Sequence, residues 1–345
     1  MKRTLATVPA LLALSGALCG QTPATGAIVV GFQNMIHTVA DVDKSVAFYR
    51  DAFGMEVVGN GPPKTAVENP RIQQLTNTKG AKFRNASVKV PGASFNIEFT
   101  EFTGIDRNPG VSGMRDPGNS MLNLRVRDID AILPVLKKAG ATVITTGGQV
   151  LERKNPNNNT SNRAIFLRDP DGFVMELEQF YPEQPSTAPA GSKVLTGSVA
   201  MTASDADKTA AFWKLFGVDV KLGKPGPGNP TSMALSATEN ATFRGNAATI
   251  PATMERWTIF EFTGIDRTPF QRRIQDPGAP AISLRVADLD QAMKVVKANR
   301  IPVVTAGGEP LKRPDGPGGN VFIRDPDGFL IELIQPAPPA QSASR

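Results

Sequence analysis

The stretch Arg168-Asp169-Pro170-Asp171-Gly172-Phe173-Val174-Met175-Glu176-Leu177-Glu178 decides the reading of the chain. It returns almost unchanged as Arg324-Asp325-Pro326-Asp327-Gly328-Phe329-Leu330-Ile331-Glu332-Leu333. Asp-Pro-Asp-Gly is a turn signal: Pro presets φ, Asp bonds nearby backbone, and Gly accepts positive φ. The alternation that follows predicts a strand, with Val174, Glu176 and Glu178 on one face and Met175 and Leu177 on the other. A carboxylate in the middle of a half-buried strand is costly unless something pairs with it. That cost makes Glu176 and Glu332 candidate functional residues.

Three further landmarks recur in the same order. Asp41-Val42-Asp43-Lys44-Ser45-Val46-Ala47-Phe48-Tyr49 matches Asp205-Ala206-Asp207-Lys208-Thr209-Ala210-Ala211-Phe212-Trp213. Phe102-Thr103-Gly104-Ile105-Asp106-Arg107 recurs unchanged as Phe262 to Arg267, and Asn123 to Asp130 is echoed by Ser283 to Asp290. The chain is therefore two homologous domains, 31–181 and 195–335. A Pro/Ser/Ala-rich linker joins them at 182–194, and a loose tail is expected at 336–345. At 345 residues the chain has the length for two cores, and 40% hydrophobic with 20% charged residues is a globular composition.

Residues 1–20 read as a secretory leader. Lys2 and Arg3 form the basic n-region, and a mostly apolar run from Leu5 to Leu18 ends in small residues. The expectation is an exported protein, periplasmic or extracellular, with a lipid on Cys19 as the alternative. Cys19 is the only cysteine, so no disulfide is expected in the folded part. Later apolar runs fall short of the roughly 20 residues of a membrane span. With a net charge of +6 and no Lys/Arg run, no nucleic-acid partner is expected; the implied partner is a small molecule, bound by a monomer or homodimer.

Each domain halves again. Residues 33–40 alternate as a strand, and Asp41–Phe53 reads as a helix with Asp41 or Asp43 as N-cap and Gly54 as stop. Strands follow from Met55, around Ala86–Val90 and at Ala93–Phe99. The second half repeats the order: strand Met121–Val126, helix Asp128–Ala139, then strands at Ala141–Thr145, Ala164–Arg168 and Phe173–Gln179. The fold class is α+β, with four β-α-β-β-β units paired into two cupped sheets. This layout, with Asp-Pro-Asp-Gly before a strand ending Glu-Leu, resembles the vicinal oxygen chelate superfamily of glyoxalase I, extradiol dioxygenases and bleomycin-resistance proteins. The resemblance spans about 33–181 and 195–335 and implies fold more firmly than activity.

Strand parity selects the side chains facing the first cup: Asn96 and Glu98, Met121, Asn123 and Arg125, and Glu176 with Glu178. Parity in the first strand is open, since Met35, His37 and Val39 alternate with Asn34, Ile36 and Thr38. If His37 faces inward, one cup gathers His37, Glu98 and Glu176, a partial shell for one Fe, Mn, Ni or Zn ion. The resemblance implies four ligand positions, which fall on His37, Glu98, Met121 and Glu176. It also implies that Glu98 or Glu176 serves as base. Met121 departs from the pattern, because a thioether is a poor ligand for hard ions. The matching positions of the second domain are Met201, Thr258, Ala281 and Glu332, so no metal is expected there. The competing bland readings are a structural His37 and cross-cup pairing of Glu176 and Glu332 with Arg125 and Arg285. The expected function is a divalent-metal-dependent lyase, isomerase or dioxygenase acting on a small substrate with neighbouring oxygens. The alternative is a metal-free small-ligand binder of the bleomycin-resistance type.

Overall fold

In the computed structural model the described residues are 27–155, 158–250, 256–314 and 316–337. The leader, Cys19 and most of the tail lie outside them. The four units follow one another along the chain. Unit 1 holds β1 (Val29–Thr38), α1 (Val42–Phe53), β2 (Val67–Glu68), α2 (Pro70–Thr76), β3 (Lys82–Lys89) and β4 (Asn96–Thr103). Unit 2 holds β5 (Ser120–Val126), α3 (Ile129–Lys138), β6 (Thr142–Val143), β7 (Leu151–Lys154), β8 (Ser161–Arg168) and β9 (Val174–Tyr181). Unit 3 holds β10 (Val194–Ala203), α4 (Ala206–Leu215), β11 (Asp219–Lys221), β12 (Gly226–Pro227), α5 (Pro230–Ser236), β13 (Thr242–Thr249) and β14 (Arg256–Thr263). Unit 4 holds β15 (Pro280–Val286), α6 (Leu289–Ala298), β16 (Leu311–Lys312), β17 (Gly319–Arg324) and β18 (Leu330–Gln335). No described helix is long and apolar enough to cross a membrane.

The sheets do not follow the sequence repeats. One runs β16-β17-β18-β15-β1-β4-β3-β2 and joins unit 4 to unit 1; the main path of the other runs β11-β13-β14-β10-β5-β9-β8-β6 and joins unit 3 to unit 2. In each sheet the first strands of two units meet antiparallel, β1 on β15 and β10 on β5. The expectation of a cup inside each repeat is therefore corrected: each cup is shared between the repeats. The loops 104–119 and 264–279 carry this exchange. They cross and bond reciprocally: Asn108 N donates to Asp276 Oδ1 (2.8 Å) and Thr268 N to Asp116 Oδ1 (3.0 Å). Gly110 N donates to Pro277 O and Phe270 N to Pro117 O. The Phe-Thr-Gly-Ile-Asp-Arg repeats lead into these loops, with Gly104 and Gly264 at φ 77° and 78°, a left-handed bend that only glycine adopts freely. Asp106 bonds Arg273 of the other loop at 3.0 Å, so the motif ties two repeats together rather than pinning one turn.

Within a repeat the units pack through their helical sides. One large apolar core takes in Val46, Tyr49 and Phe53 of α1, Ile132 and Leu136 of α3, Trp213 of α4 and Met293 of α6. The Asp-Pro-Asp-Gly turns lock this packing. Asp169 Oδ1 accepts from Asp171 N and Phe173 N (2.9 and 3.0 Å), which closes the turn, while its Oδ2 accepts from the Tyr49 hydroxyl (2.9 Å). Asp171 accepts from Ala40 N (2.8 Å) and Ser45 Oγ (2.7 Å) at the start of α1. Asp327 does the same for Ser204 N ahead of α4 (3.1 Å). Asp41, Asp128, Asp205 and Asp288 cap the four long helices, as the sequence predicts for the first. Strand bounds shift by a few residues. The expected strand from Met55 reduces to one bridge, Val57 to Val88.

The short helices α2 and α5 are not in the sequence reading. Each starts on an Asn side-chain cap followed by Pro in the first turn, Asn69-Pro70 and Asn229-Pro230. Each leans on the partner unit. Thr305 Oγ1 donates to Leu75 O (2.9 Å), and Thr145 Oγ1 donates to Leu235 O (3.0 Å).

Candidate functional site

Strand parity holds throughout; strand partnership does not. Ile97 and Phe99 of β4, with Phe95 just before it, face the helical core, while Glu98, Thr100 and Phe102 wall a cavity. In β5, Leu122, Leu124 and Val126 face the core and Met121 the opposite side. In β9, Met175 and Leu177 are core, as expected. The open parity of β1 resolves against the ligand reading. Met35, His37 and Val39 are buried beneath the helices, and Asn34, Ile36 and Thr38 face the cup.

His37 is fully buried and stacks on Phe173, with ring centroids 3.5 Å apart and planes 7° from parallel. Phe99 and Tyr49 close the other sides. Neither ring nitrogen has a hydrogen-bond partner among the described residues. Burial drives its pKa down to about 3, so the ring is neutral. Met201 occupies the matching position in unit 3, equally buried. His37 is a core residue, and its assignment as a metal ligand is corrected.

Glu176 is separated from Glu98 as well. It lies in the sheet of units 2 and 3, opposite Phe166 of β8 and beside Asn123 of β5. Arg153 of β7 donates to Glu176 Oε1 (3.1 Å) and to Glu178 Oε1 (2.6 Å), and Asn162 adds a bond to Glu178 (2.9 Å). Burial and the neighbouring Glu178 push the Glu176 pKa up, and Arg153 pulls it back. Met121 sits among Met114, Phe166, Ala200, Met233 and Phe262, an apolar cluster in this second cup. Arg125 lies over the Phe180 ring, 5.1 Å from its centroid. The cation paired with Glu176 is Arg153, a residue outside the sequence reading.

The remaining cup is built by units 1 and 4 and holds a cavity of about 230 Å³. The strand register sets its centre. Ile36 pairs with Glu98, Asn34 with Ser283, and Ser283 with Glu332, so two carboxylates from the two sequence repeats share one hollow. Asn34 Nδ2 donates to Glu98 Oε2 (3.0 Å). Ser283 Oγ donates to Glu332 Oε2 (2.6 Å) and Asn320 Nδ2 to Glu332 Oε1 (2.7 Å). Asn34 Oδ1 is buried with no partner among the described residues. Phe83, Phe102 and Phe322 supply apolar wall, and Ile72 and Leu75 bring α2 across it. Of the described residues lining the cavity none is Lys, Arg or His. Burial and the Glu332 charge push the Glu98 pKa up to about 7; burial also raises Glu332 against its two hydrogen bonds. Asn96 is half-buried on the same strand as Glu98 but does not wall the cavity. Arg285 turns back over Gly31 and reaches Gln33 Oε1 at 3.4 Å.

The sequence reading therefore found Glu98 and Glu332 but placed them in different cups, and it missed Asn34, Ser283 and Asn320. Asn34 was visible as the other parity of β1. Asn320 carried no signal of its own.

The sequence model of the Glyoxalase/Bleomycin resistance protein/Dioxygenase superfamily matches residues 32–177 and again 196–333. The chain belongs to that superfamily, as two tandem copies. Among solved structures it is similar to glyoxalase I from Zea mays, with 16% identity, TM-score 0.55, and 88% of this chain and 92% of that one covered. A Bacillus subtilis protein named as a candidate dioxygenase is as similar, with 14% identity, TM-score 0.55, and coverage of 91% and 87%. At such identities these likenesses speak for fold. A search of curated protein sequences returns no match.

Metal-dependent members of the superfamily raise the question whether this cup fits an ion. The imidazole is in the core, and no group of three or more His, Cys, Asp or Glu side chains among the described residues is placed to hold one. The two carboxylates are already oriented by neutral donors from Asn34, Ser283 and Asn320. Open catalytic sites for borderline ions use three protein ligands with nitrogen or sulfur among them. The expected site of His37, Glu98 and Glu176 does not form, and this cup offers no imidazole or thiolate of the kind a Zn or Ni site uses.

Proposed function

We propose that the chain is a glyoxalase-fold protein that takes a small molecule into the cup of units 1 and 4 and moves a proton on it through Glu98. The observation behind this reading is a carboxylate held at about pKa 7 beside a second one, in a cavity whose described lining offers no cation. A general base works best when its pKa lies near the operating pH. The matching class of reaction is isomerisation of a substrate with neighbouring oxygens. Glu98 takes a proton from the hydroxyl-bearing carbon beside a carbonyl, and the electron pair moves to the carbonyl oxygen to give an enediolate. The hydroxyl proton passes to that oxygen, the C=O re-forms on the first carbon, and the protonated Glu98 returns its proton to the adjacent, former carbonyl carbon. Asn34, Ser283 and Asn320 hold the two carboxylates in place, and α2 shields the apolar wall from water. Export, read from residues 1–20, belongs to the same proposal.

The test is solvent hydrogen exchange. A panel of hydroxy- and amino-ketones is incubated with the protein in heavy water, and loss of the C–H signal is followed by NMR. Exchange should rise with pH through about 7 as Glu98 ionises, and Glu98→Gln should slow it by about 10² or more. Exchange no faster than in buffer, or unchanged in Glu98→Gln, would remove the proton-transfer reading. Binding of a panel member without exchange would leave the binder.

A further inference from the structure

We propose that the ligand of the units 1 and 4 cup carries a primary ammonium group, seated against Glu98, Glu332 and the amide oxygen of Asn34. This rests on the cup being the working site and names the class of molecule it takes.

Three features of the cavity point the same way. Two carboxylates face into it with only neutral donors as partners. No cationic side chain stands among its described lining residues. Buried carboxylates without a compensating charge are costly, so the cup is short of positive charge and complementary to a cation. The third feature is the buried Asn34 Oδ1, which lacks a donor among the described residues. A buried acceptor left open costs about 1–3 kcal/mol when nothing fills it. A primary ammonium brings three N–H donors and one charge, one donor for each of the two carboxylates and one for the amide oxygen. An anion would meet two carboxylates; a hard metal ion, which carboxylate and amide oxygens also ligate, is the competing occupant that the Mn²⁺ arm below tests.

Size and wall complete the description. Pockets for drug-sized ligands run about 300–1,000 Å³, so a cavity of about 230 Å³ suits something smaller. Phe83, Phe102 and Phe322 favour an apolar or ring-bearing body next to the amine. The second cup excludes such a ligand on its own terms, because Arg153 already occupies the cation's place against Glu176 and Glu178.

The experiment is calorimetric titration of the full-length folded protein with four probes: benzylamine, benzyltrimethylammonium, benzyl alcohol and benzoate. Benzylamine should bind one per chain and most tightly. Benzyltrimethylammonium keeps the charge without N–H donors and should bind more weakly. Benzoate should not bind. A bound ammonium favours ionised Glu98, so benzylamine affinity should rise between pH 6 and pH 8 with proton release, seen as a buffer-dependent enthalpy. Glu98→Gln and Glu332→Gln should each weaken benzylamine by about tenfold or more, and Glu176→Gln should leave it unchanged. Benzyl alcohol binding as well as benzylamine, with both sensitive to Glu98→Gln, would overturn the ammonium assignment and keep the cup as the site. Failure of all four probes on folded protein would overturn both. Stoichiometric Mn²⁺ binding that displaces benzylamine would also overturn the assignment, in favour of an ion.

Discussion

The two cups share one backbone plan and differ in how they balance a buried charge. The glutamate after each Asp-Pro-Asp-Gly turn occupies the same strand position, Glu332 in one and Glu176 in the other. The second cup's strands carry Ser198, Thr258, Asn123 and Ala164 at the matching positions, with Arg153 reaching Glu176 as its cation. Around Glu332 the same four places hold Asn34, Glu98, Ser283 and Asn320. Arg153 has a counterpart in Arg313, but Arg313 is exposed and is not among the residues that line its cavity. So Arg313 does not enter its cup, and a second carboxylate does. One cup has its charge settled from within; the other is left to be settled by a proton or a ligand.

Removing the internal cation is the strongest way to break this contrast. Arg153→Leu leaves Glu176 buried beside Glu178 with no partner, and breaking a buried pair from one side costs about 3–5 kcal/mol. Arg153 is partly exposed, so the lower end is expected in urea unfolding. The double variant Arg153→Leu/Glu176→Gln should recover most of it. No recovery would show that Arg153 acts through packing rather than charge.

The other cup should respond with the opposite sign. The folded pKa of Glu98, about 7, lies above its ordinary value of 4.5. Folding therefore retains a proton that the unfolded chain gives up between those values. The group costs nothing below about pH 4.5, costs progressively more as pH rises, and costs up to about 3 kcal/mol above pH 7. Glu98→Gln should match the parent at pH 4 and exceed it in thermal stability at pH 8. A pH-independent difference would mean that Glu98 is already compensated.

The smallest effect tests the residue that both cups leave out. With His37 held at about 3 against 6.5 when free, stability is lost as pH falls from 6.5. Each pH unit in that window is worth about 1.4 kcal/mol. His37→Met copies Met201 of unit 3 and should be close to neutral at pH 8. At pH 5 it should gain about 2 kcal/mol over the parent. A loss at both pH values would mean that the stacked ring on Phe173 matters more than its titration.

Much of this was legible in the chain. The duplicated Asp-Pro-Asp-Gly strands, the helix caps at Asp41 and its counterparts, and period-2 alternation in β4, β5 and β9 gave the units and the inward faces. Local steric and hydrogen-bonding rules settle those features within a few residues, so a sequence contains them. The side of β1 on which His37 lies was not legible, because Met35 and Val39 compete with Ile36 as apolar neighbours. Only the helices packed above could settle it. The short helices α2 and α5 were hidden because Asn-Pro reads equally as a turn or as a helix start.

By itself the sequence determined four β-α-β-β-β units, their order and which residues each strand turns toward a cup. Tertiary structure alone decided which units share a sheet. Crossed loops 104–119 and 264–279 are long enough to carry a strand to either partner, so nothing local prefers one pairing. The choice falls to the edges β1 on β15 and β10 on β5 and to the reciprocal bonds between the loops. Those are contacts between residues far apart in the chain, and they put Glu98 beside Glu332 instead of Glu176.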